Sequence, residues 1–157
     1  MSEDENNLGT CPVDRGLMRV GDRWSMLVLR DIERGLTRYE QLRTSLGIAP
    51  NILARRLSAL CDAGLIEKRR YSERPPRDEY LLTDAGYDFL PILMAIGAWG
   101  RKHNGGGALS RHLDAETGEA VRPLVVDANT GAPIGSRPLR FEIPELSSPI
   151  CTCPHAG

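Results

Sequence analysis

The sequence has few aromatic residues and no long apolar run. Two phenylalanines, two tryptophans and four tyrosines make up 5% of 157 residues. Aliphatic side chains must therefore fill the core, and at 41% hydrophobic composition that core is a single modest one. No apolar stretch reaches the roughly 18 residues that a membrane-crossing helix needs. The opening MSEDENNLGT carries three acids and no cation, the opposite of a secretory leader. A cytoplasmic protein without a membrane partner is expected. His103, His112 and His155 fit neither a catalytic triad nor a zinc-protease motif, and Gly105-Gly106-Gly107 lacks the Lys-Ser/Thr that follows in a phosphate-binding loop. The expectation is a non-enzyme without a cofactor. Four cysteines, at 11, 61, 151 and 153, are not expected to form structural disulfides in a cytosolic chain. Cys61 reads as a small packed hydrophobe.

Net charge is also nearly absent, at −1, which alone argues against a nucleic-acid binder. Its distribution argues otherwise. From Thr37 to Arg77 nine cations stand against four acids, a local balance of +5. From Ala108 onward four cations stand against six acids. A basic centre between acidic ends is a plausible footprint for DNA, although charge alone slightly favours a solvated charged surface.

Apolar residues recur at helical spacing in VDRGLMRV and in RWSMLVLRDIERG, where Trp24, Leu27, Val28 and Ile32 share a face and Gly35 closes the helix. Thr37-Arg38-Tyr39-Glu40 has the pattern of a capping box for a short helix with Tyr39 and Leu42 inside, ending at Gly47. Pro50 suits the first position of the next helix, Pro50–Ala63, capped by Gly64. Its buried stripe is Leu53, Leu57 and Leu60, which leaves Asn51, Arg55, Arg56, Ser58 and Asp62 outside or on the flanks. Two helices joined by a short turn fit a helix-turn-helix or any αα-hairpin.

After Gly64 the period shortens. LIEKRRY and EYLLT read as strands around a turn-rich tip, SERPPRD, where Arg74 and Arg77 flank a stiff Pro75-Pro76. A charged hairpin after a second helix is a wing, and the combination is far more specific than either part. Asp84 to about His103 reads as a long helix, apolar on most of its circumference, that calls for cover by a partner subunit. Pro91 is expected to kink or restart it. Beyond the triple glycine, Asp114-Ala115-Glu116-Thr117-Gly118 is echoed by Asp127-Ala128-Asn129-Thr130-Gly131, which suggests two similar hairpin turns joined by a strand at Leu124-Val125-Val126.

Several ordered segments resemble HxlR-type winged-helix transcriptional regulators. They are Cys11-Pro12-Val13-Asp14-Arg15, Gly21-Asp22-Arg23-Trp24, Leu29-Arg30-Asp31-Ile32, Leu53-Ala54-Arg55-Arg56-Leu57, Ala63-Gly64-Leu65-Ile66, Pro75-Pro76-Arg77-Asp78-Glu79-Tyr80 and Leu82-Thr83-Asp84-Ala85-Gly86. The resemblance covers about residues 11 to 103. It implies a mainly α fold with a small β component, a winged helix-turn-helix, to which the sequence adds a C-terminal β-hairpin appendage. The chain then divides into a disordered acidic segment 1–10, a DNA-binding and dimerisation domain 11–104, the appendage 108–146 and a flexible tail 147–157.

The resemblance further implies a bacterial homodimer on a near-palindromic operator, with Pro50–Ala63 as recognition helix and Leu65–Thr83 as wing. The terminal helices form the dimer, with Leu17, Phe89, Leu93, Ile96 and Trp99 as interface candidates. Ala49 replaces a frequent serine cap, at a cost on the order of 1 kcal/mol. Ala54-Arg55 replaces polar pairs frequent in relatives. The appendage is similar to a Cys/His ribbon found in some relatives, without its ligands.

The double-stranded DNA contacts expected are Asn51, Arg55, Arg56, Arg69, Arg70, Arg74 and Arg77. Arg55 faces outward, where it can pair with guanine, and the wing cations contact phosphates or the minor groove. The alternative for each arginine is a surface ion pair, such as Arg56 with Asp62 or Arg70 with Glu73. Cys11, before a helix and near Arg15, is the candidate sensor of oxidants or electrophiles, or else an inert thiol, and a small-molecule or oxidant effector is a candidate partner. Cys151, Cys153 and His155 form a weak candidate metal site. A rival reading keeps the scaffold but makes the chain a protein-interaction or ligand-binding module that no longer binds DNA. Repression is the regulatory sense expected.

Overall fold

The computed structural model describes residues 11–142. The elements are α1 (Pro12–Val20), α2 (Arg23–Glu33), α3 (Tyr39–Leu46), α4 (Pro50–Asp62), β1 (Ile66–Glu73), β2 (Pro76–Leu82) and α5 (Asp84–Asn104). The expectations for segment 1–10, for the last residues of the appendage, 143–146, and for the tail 147–157 with Cys151, Cys153 and His155 lie outside the described residues.

The core is aliphatic, as the aromatic scarcity requires. Val28, Leu29, Leu42, Leu53, Leu57, Leu60 and Ile66 are buried where α2, α3, α4 and β1 meet. α2 starts at Asp22, whose Oδ1 accepts from the backbone N–H of Trp24 at 2.9 Å and of Ser25 at 3.0 Å. The Ser25 hydroxyl donates to Oδ2 of the same carboxylate. Burial of Asp22 works against its ionised form, but these hydrogen bonds and the nearby Arg56 outweigh it and hold its pKa below the usual value.

α3 corrects the capping-box expectation. The N-cap is Arg38, not Thr37, and the Gln41 side chain, not that of Glu40, accepts from the Arg38 backbone N–H at 3.0 Å. The reason is non-local. The Thr37 carbonyl accepts the Tyr80 N–H at 2.7 Å, and Arg38 bridges Glu79, so residues 37 and 38 are held extended against β2. Tyr39 and Leu42 do face inward. Leu42 is buried, and the Tyr39 hydroxyl donates to the Pro50 carbonyl at 3.0 Å. Gly47 closes α3 with a φ of 58°, a conformation that Cβ-bearing residues rarely adopt.

β1 and β2 form an antiparallel pair with Ile66 opposite Leu82, Lys68 opposite Tyr80 and Arg70 opposite Asp78. A bulge at Tyr71 shifts the register before Ser72 meets Arg77. The strands run further than the sequence suggests. The tip contracts to Arg74-Pro75, and Pro76 takes the first position of β2, which proline tolerates.

α5 is capped by Thr83, whose Oγ1 accepts from the Gly86 N–H at 3.2 Å. It runs as one helix across Pro91. Phe89 and Leu93 pack against the chain's own core. Tyr87, Ile92, Ile96 and Trp99 remain exposed, as do Val13, Leu17 and Met18 of α1.

The appendage keeps the two expected turns but not the strand between them. Leu124-Val125-Val126 forms no strand, and its pairing is reduced to single bridges, Leu113 with Ala120 and Val126 with Pro133. The turns are built alike. Asp114 Oδ1 accepts from Glu116 and Thr117 N–H groups, Asp127 Oδ1 accepts from that of Asn129, and Gly118 and Gly131 have positive φ. These hydrogen bonds hold the pKa of both aspartates below the usual range.

Candidate nucleic-acid interface

Burial of Leu53, Leu57 and Leu60 fixes the roll of α4. Asn51, Ala54, Arg55, Ser58 and Asp62 then lie exposed along the opposite face, spaced three or four residues apart apart from one adjacent pair. The helix begins at Ala49 with no side-chain cap and Pro50 in its first turn.

The seven residues expected to touch DNA fall into two groups. Arg55, Arg74 and Arg77 are exposed and form no ion pair with another described residue, and Asn51 is exposed at the start of α4. The other three arginines have acidic neighbours. Arg56 Nε lies 3.2 Å from Asp22 Oδ1, without the alignment of a hydrogen bond. Its ion partner is thus the α2 cap, not Asp62. Arg69 donates twice to Glu79 Oε1, at 2.8 and 3.1 Å. Arg70 Nε donates to Asp78 Oδ1 at 3.0 Å, while Glu73 lies 3.8 Å from its Nη1. Lys68 Nζ is 3.0 Å from the other Asp78 oxygen. Hydrogen bonds from Lys68 and Arg70 hold the Asp78 pKa below the usual carboxylate value. The wing is thus less positive than its arginines suggest, with unpaired charge concentrated at Arg74 and Arg77.

Two contributors carry little sequence signal. Arg38 lies over the Tyr71 ring at 4.6 Å and ties the start of α3 to the wing. Arg19 of α1 donates to the Ala63 carbonyl at 3.0 Å, joining α1 to the end of α4. Neither is visible from spacing, because both join segments distant in sequence. Cys11 is exposed at the N-cap of α1, and its carbonyl accepts from the Arg15 N–H at 3.2 Å. Cys61 is half-buried beside the core, and burial pushes its thiol pKa up. Among the described residues no cluster of three or more His, Cys, Asp or Glu side chains could hold a metal, and no helix is long and apolar enough to cross a membrane.

An exposed face on the second helix of a helix-turn-helix, beside a two-stranded wing, defines a winged-helix DNA-binding protein of the kind found in transcription regulators. The particular family follows from comparison. Residues 19–106 match the HxlR-like helix-turn-helix model, and the chain belongs to that family. An uncharacterized HTH-type transcriptional regulator of Mycobacterium tuberculosis is 35% identical over 129 residues, 80% of each chain. One of Methanothermobacter thermautotrophicus is 35% identical over 104 residues, 66% of this chain and 77% of its own. Among solved structures, the transcription-factor candidate PA1607 is 36% identical with a TM-score of 0.79, covering 88% of this chain and 98% of its own. The redox regulator HypR in its oxidized form is 28% identical with a TM-score of 0.56, covering 59% of this chain and 97% of its own. The family and these relatives are transcription regulators rather than enzymes.

Proposed function

We propose that this regulator represses transcription as a homodimer that seats α4 of each subunit in successive major grooves of a near-palindromic operator. The observation that carries the reading is the outward, unpaired Arg55 on a helix whose opposite face is locked by three leucines. A guanidinium so presented can donate two hydrogen bonds to guanine O6 and N7. Asn51 supports it from the first turn, reaching a base edge or a phosphate. Arg74 and Arg77 at the wing tip bind phosphates or the minor groove. Arg56, Arg69 and Arg70 contribute through their field, and their direct contacts require them to share or leave an acid. Exposed Leu17, Ile96 and Trp99 supply apolar surface for pairing two subunits. Phe89 and Leu93 support that surface from beneath.

Cys11 is the oxidant sensor in this reading. The redox regulator among the solved relatives supports it, and the Arg19–Ala63 hydrogen bond gives α1 a direct hold on the end of α4. Oxidation or alkylation of the thiol shifts α1, and with it the distance between the two recognition helices. The test is operator selection from random duplex DNA, followed by binding of the wild type and Arg55→Ala to the selected and scrambled sequences. The expected result is a dimer in both proteins, with preference for the selected sequence lost in Arg55→Ala. A monomeric wild type, or an unchanged preference, overturns the reading.

A further inference from the structure

α2, α5 and the first segment of the appendage line a half-open cavity of about 760 Å³. It lies outside the DNA-binding face and takes up part of the apolar circumference of α5. Its volume is in the range of small-ligand sites, roughly 300–1,000 Å³. The walls are apolar where the helices face each other, with Met26 and Leu27 from α2 and Leu90, Leu93 and Met94 from α5. Leu109, Val121 and Pro123 of the appendage complete them.

The charged lining is lopsided. Arg23, Arg30, Arg34, Arg101 and Arg111 contribute five cations, and Glu33 is the single acid. Asp31, a buried residue of α2 itself, takes hydrogen bonds from Arg30 Nε at 2.8 Å and Arg30 Nη2 at 2.6 Å and lies 3.4 Å from Arg34 Nη1. Two acids against five arginines leave a formal surplus of three positive charges. Glu33 Oε2 lies 3.5 Å from Nε2 of His112, which also lines the cavity. Arg101 is held in place by donating to the Ser110 carbonyl at 2.7 Å, which also ties the start of the appendage to α5.

Apolar walls with a guanidinium surplus select one kind of molecule. A neutral hydrocarbon would leave the positive surplus uncompensated, and a small inorganic anion would leave the apolar walls in water. We propose that this cavity binds a small amphipathic organic anion, an apolar body carrying a carboxylate or sulfonate. The body lies between α2 and α5, and the anionic group sits among Arg34, Arg101 and Arg111. α2 is also the helix whose Asp22 cap faces Arg56 of α4, so the cavity is one helix away from the DNA face.

The assay uses the full chain without DNA, so its outcome is independent of the operator reading. Anilinonaphthalene sulfonate is titrated by fluorescence, and dodecanoate and dodecanol then compete for it. Saturable binding of one dye per chain is expected, with dodecanoate displacing it at least about tenfold more effectively than dodecanol, a difference of about 1.4 kcal/mol. Met94→Trp, which fills the space, and Arg111→Gln, at an exposed side chain, are each expected to weaken the dye several-fold with unchanged helical content. Four results overturn the proposal. They are non-saturable dye binding, equal competition by acid and alcohol, unchanged dye affinity in both variants, or dissociation of a dimer by Met94→Trp in a wild type that binds no dye, which would give the cavity to a second copy of the chain.

Discussion

The division between paired and unpaired wing cations predicts the salt dependence of DNA binding. Each phosphate contact on duplex DNA contributes about 0.9 to the slope of log K against log salt concentration. Arg74 and Arg77 are exposed and hold no acidic partner among the described residues. In the proposed dimer two such arginines in each of two wings would make four phosphate contacts, so removing them is expected to lower the slope by about 3.6. Arg70 already gives its Nε to Asp78 and stands near Glu73. Removing it frees an acid as well as deleting a cation, so Arg70→Ala changes affinity through the local field while moving the slope by less than one contact per wing. The assay is fluorescence anisotropy of a labelled operator duplex over a series of potassium chloride concentrations. It compares wild type, the Arg74→Ala/Arg77→Ala double variant and Arg70→Ala. A double variant with the wild-type slope, or an Arg70→Ala variant that loses as much slope as the double variant, refutes the reasoning.

Three further outcomes follow from the packing. Asp22→Ala removes the α2 cap and the ion partner of Arg56, and should cost about 0.5–2 kcal/mol in urea unfolding at neutral pH. Because the folded-state pKa of Asp22 is depressed, its contribution is complete above the ordinary value of 3.8 and is lost as pH falls through the lower folded value; a wild-type–variant gap that stays constant into that acid range contradicts this. Gly86→Ala would place a Cβ 2.2 Å from the Leu65 carbonyl oxygen. The start of α5 must then move away from Leu65, at a cost of roughly 1–3 kcal/mol, and an unchanged unfolding midpoint would show that the contact is loose. Peroxide or a quinone should release wild-type protein from its operator and leave Cys11→Ser bound; equal release of both removes Cys11 as the sensor.

Local signals in the sequence were enough for most of the fold. The spacing of Leu53, Leu57 and Leu60 sets the roll of α4, and that roll alone turns Arg55 outward. Gly35, Gly47 and Gly64 mark three helix ends because each takes a positive φ. What escaped depends on contacts between distant segments. The Thr37 cap fails because its carbonyl is engaged by Tyr80. The wing partners become readable only once the strand register is known, and a shorter tip brings Arg69 opposite Glu79 and Arg70 opposite Asp78. A charge balance counted from Thr37 to Arg77 stops one residue before those two acids, so it overstates the free positive charge. The appendage shows the same limit: the Asp-x-x-Thr-Gly turns are encoded locally and form, whereas the strand between them needed a pairing partner and did not form.

The most direct test is a double-mutant cycle between protein and operator. Arg55→Ala is combined with replacement of half-site guanines by deazaguanine lacking N7, and each of the four combinations is measured at fixed salt. If α4 reads guanine through Arg55, one guanine per half-site shows a coupling of about 1–3 kcal/mol, so its replacement no longer weakens the Arg55→Ala variant. If the two changes are additive at every guanine, Arg55 does not meet a base and α4 is not seated as described.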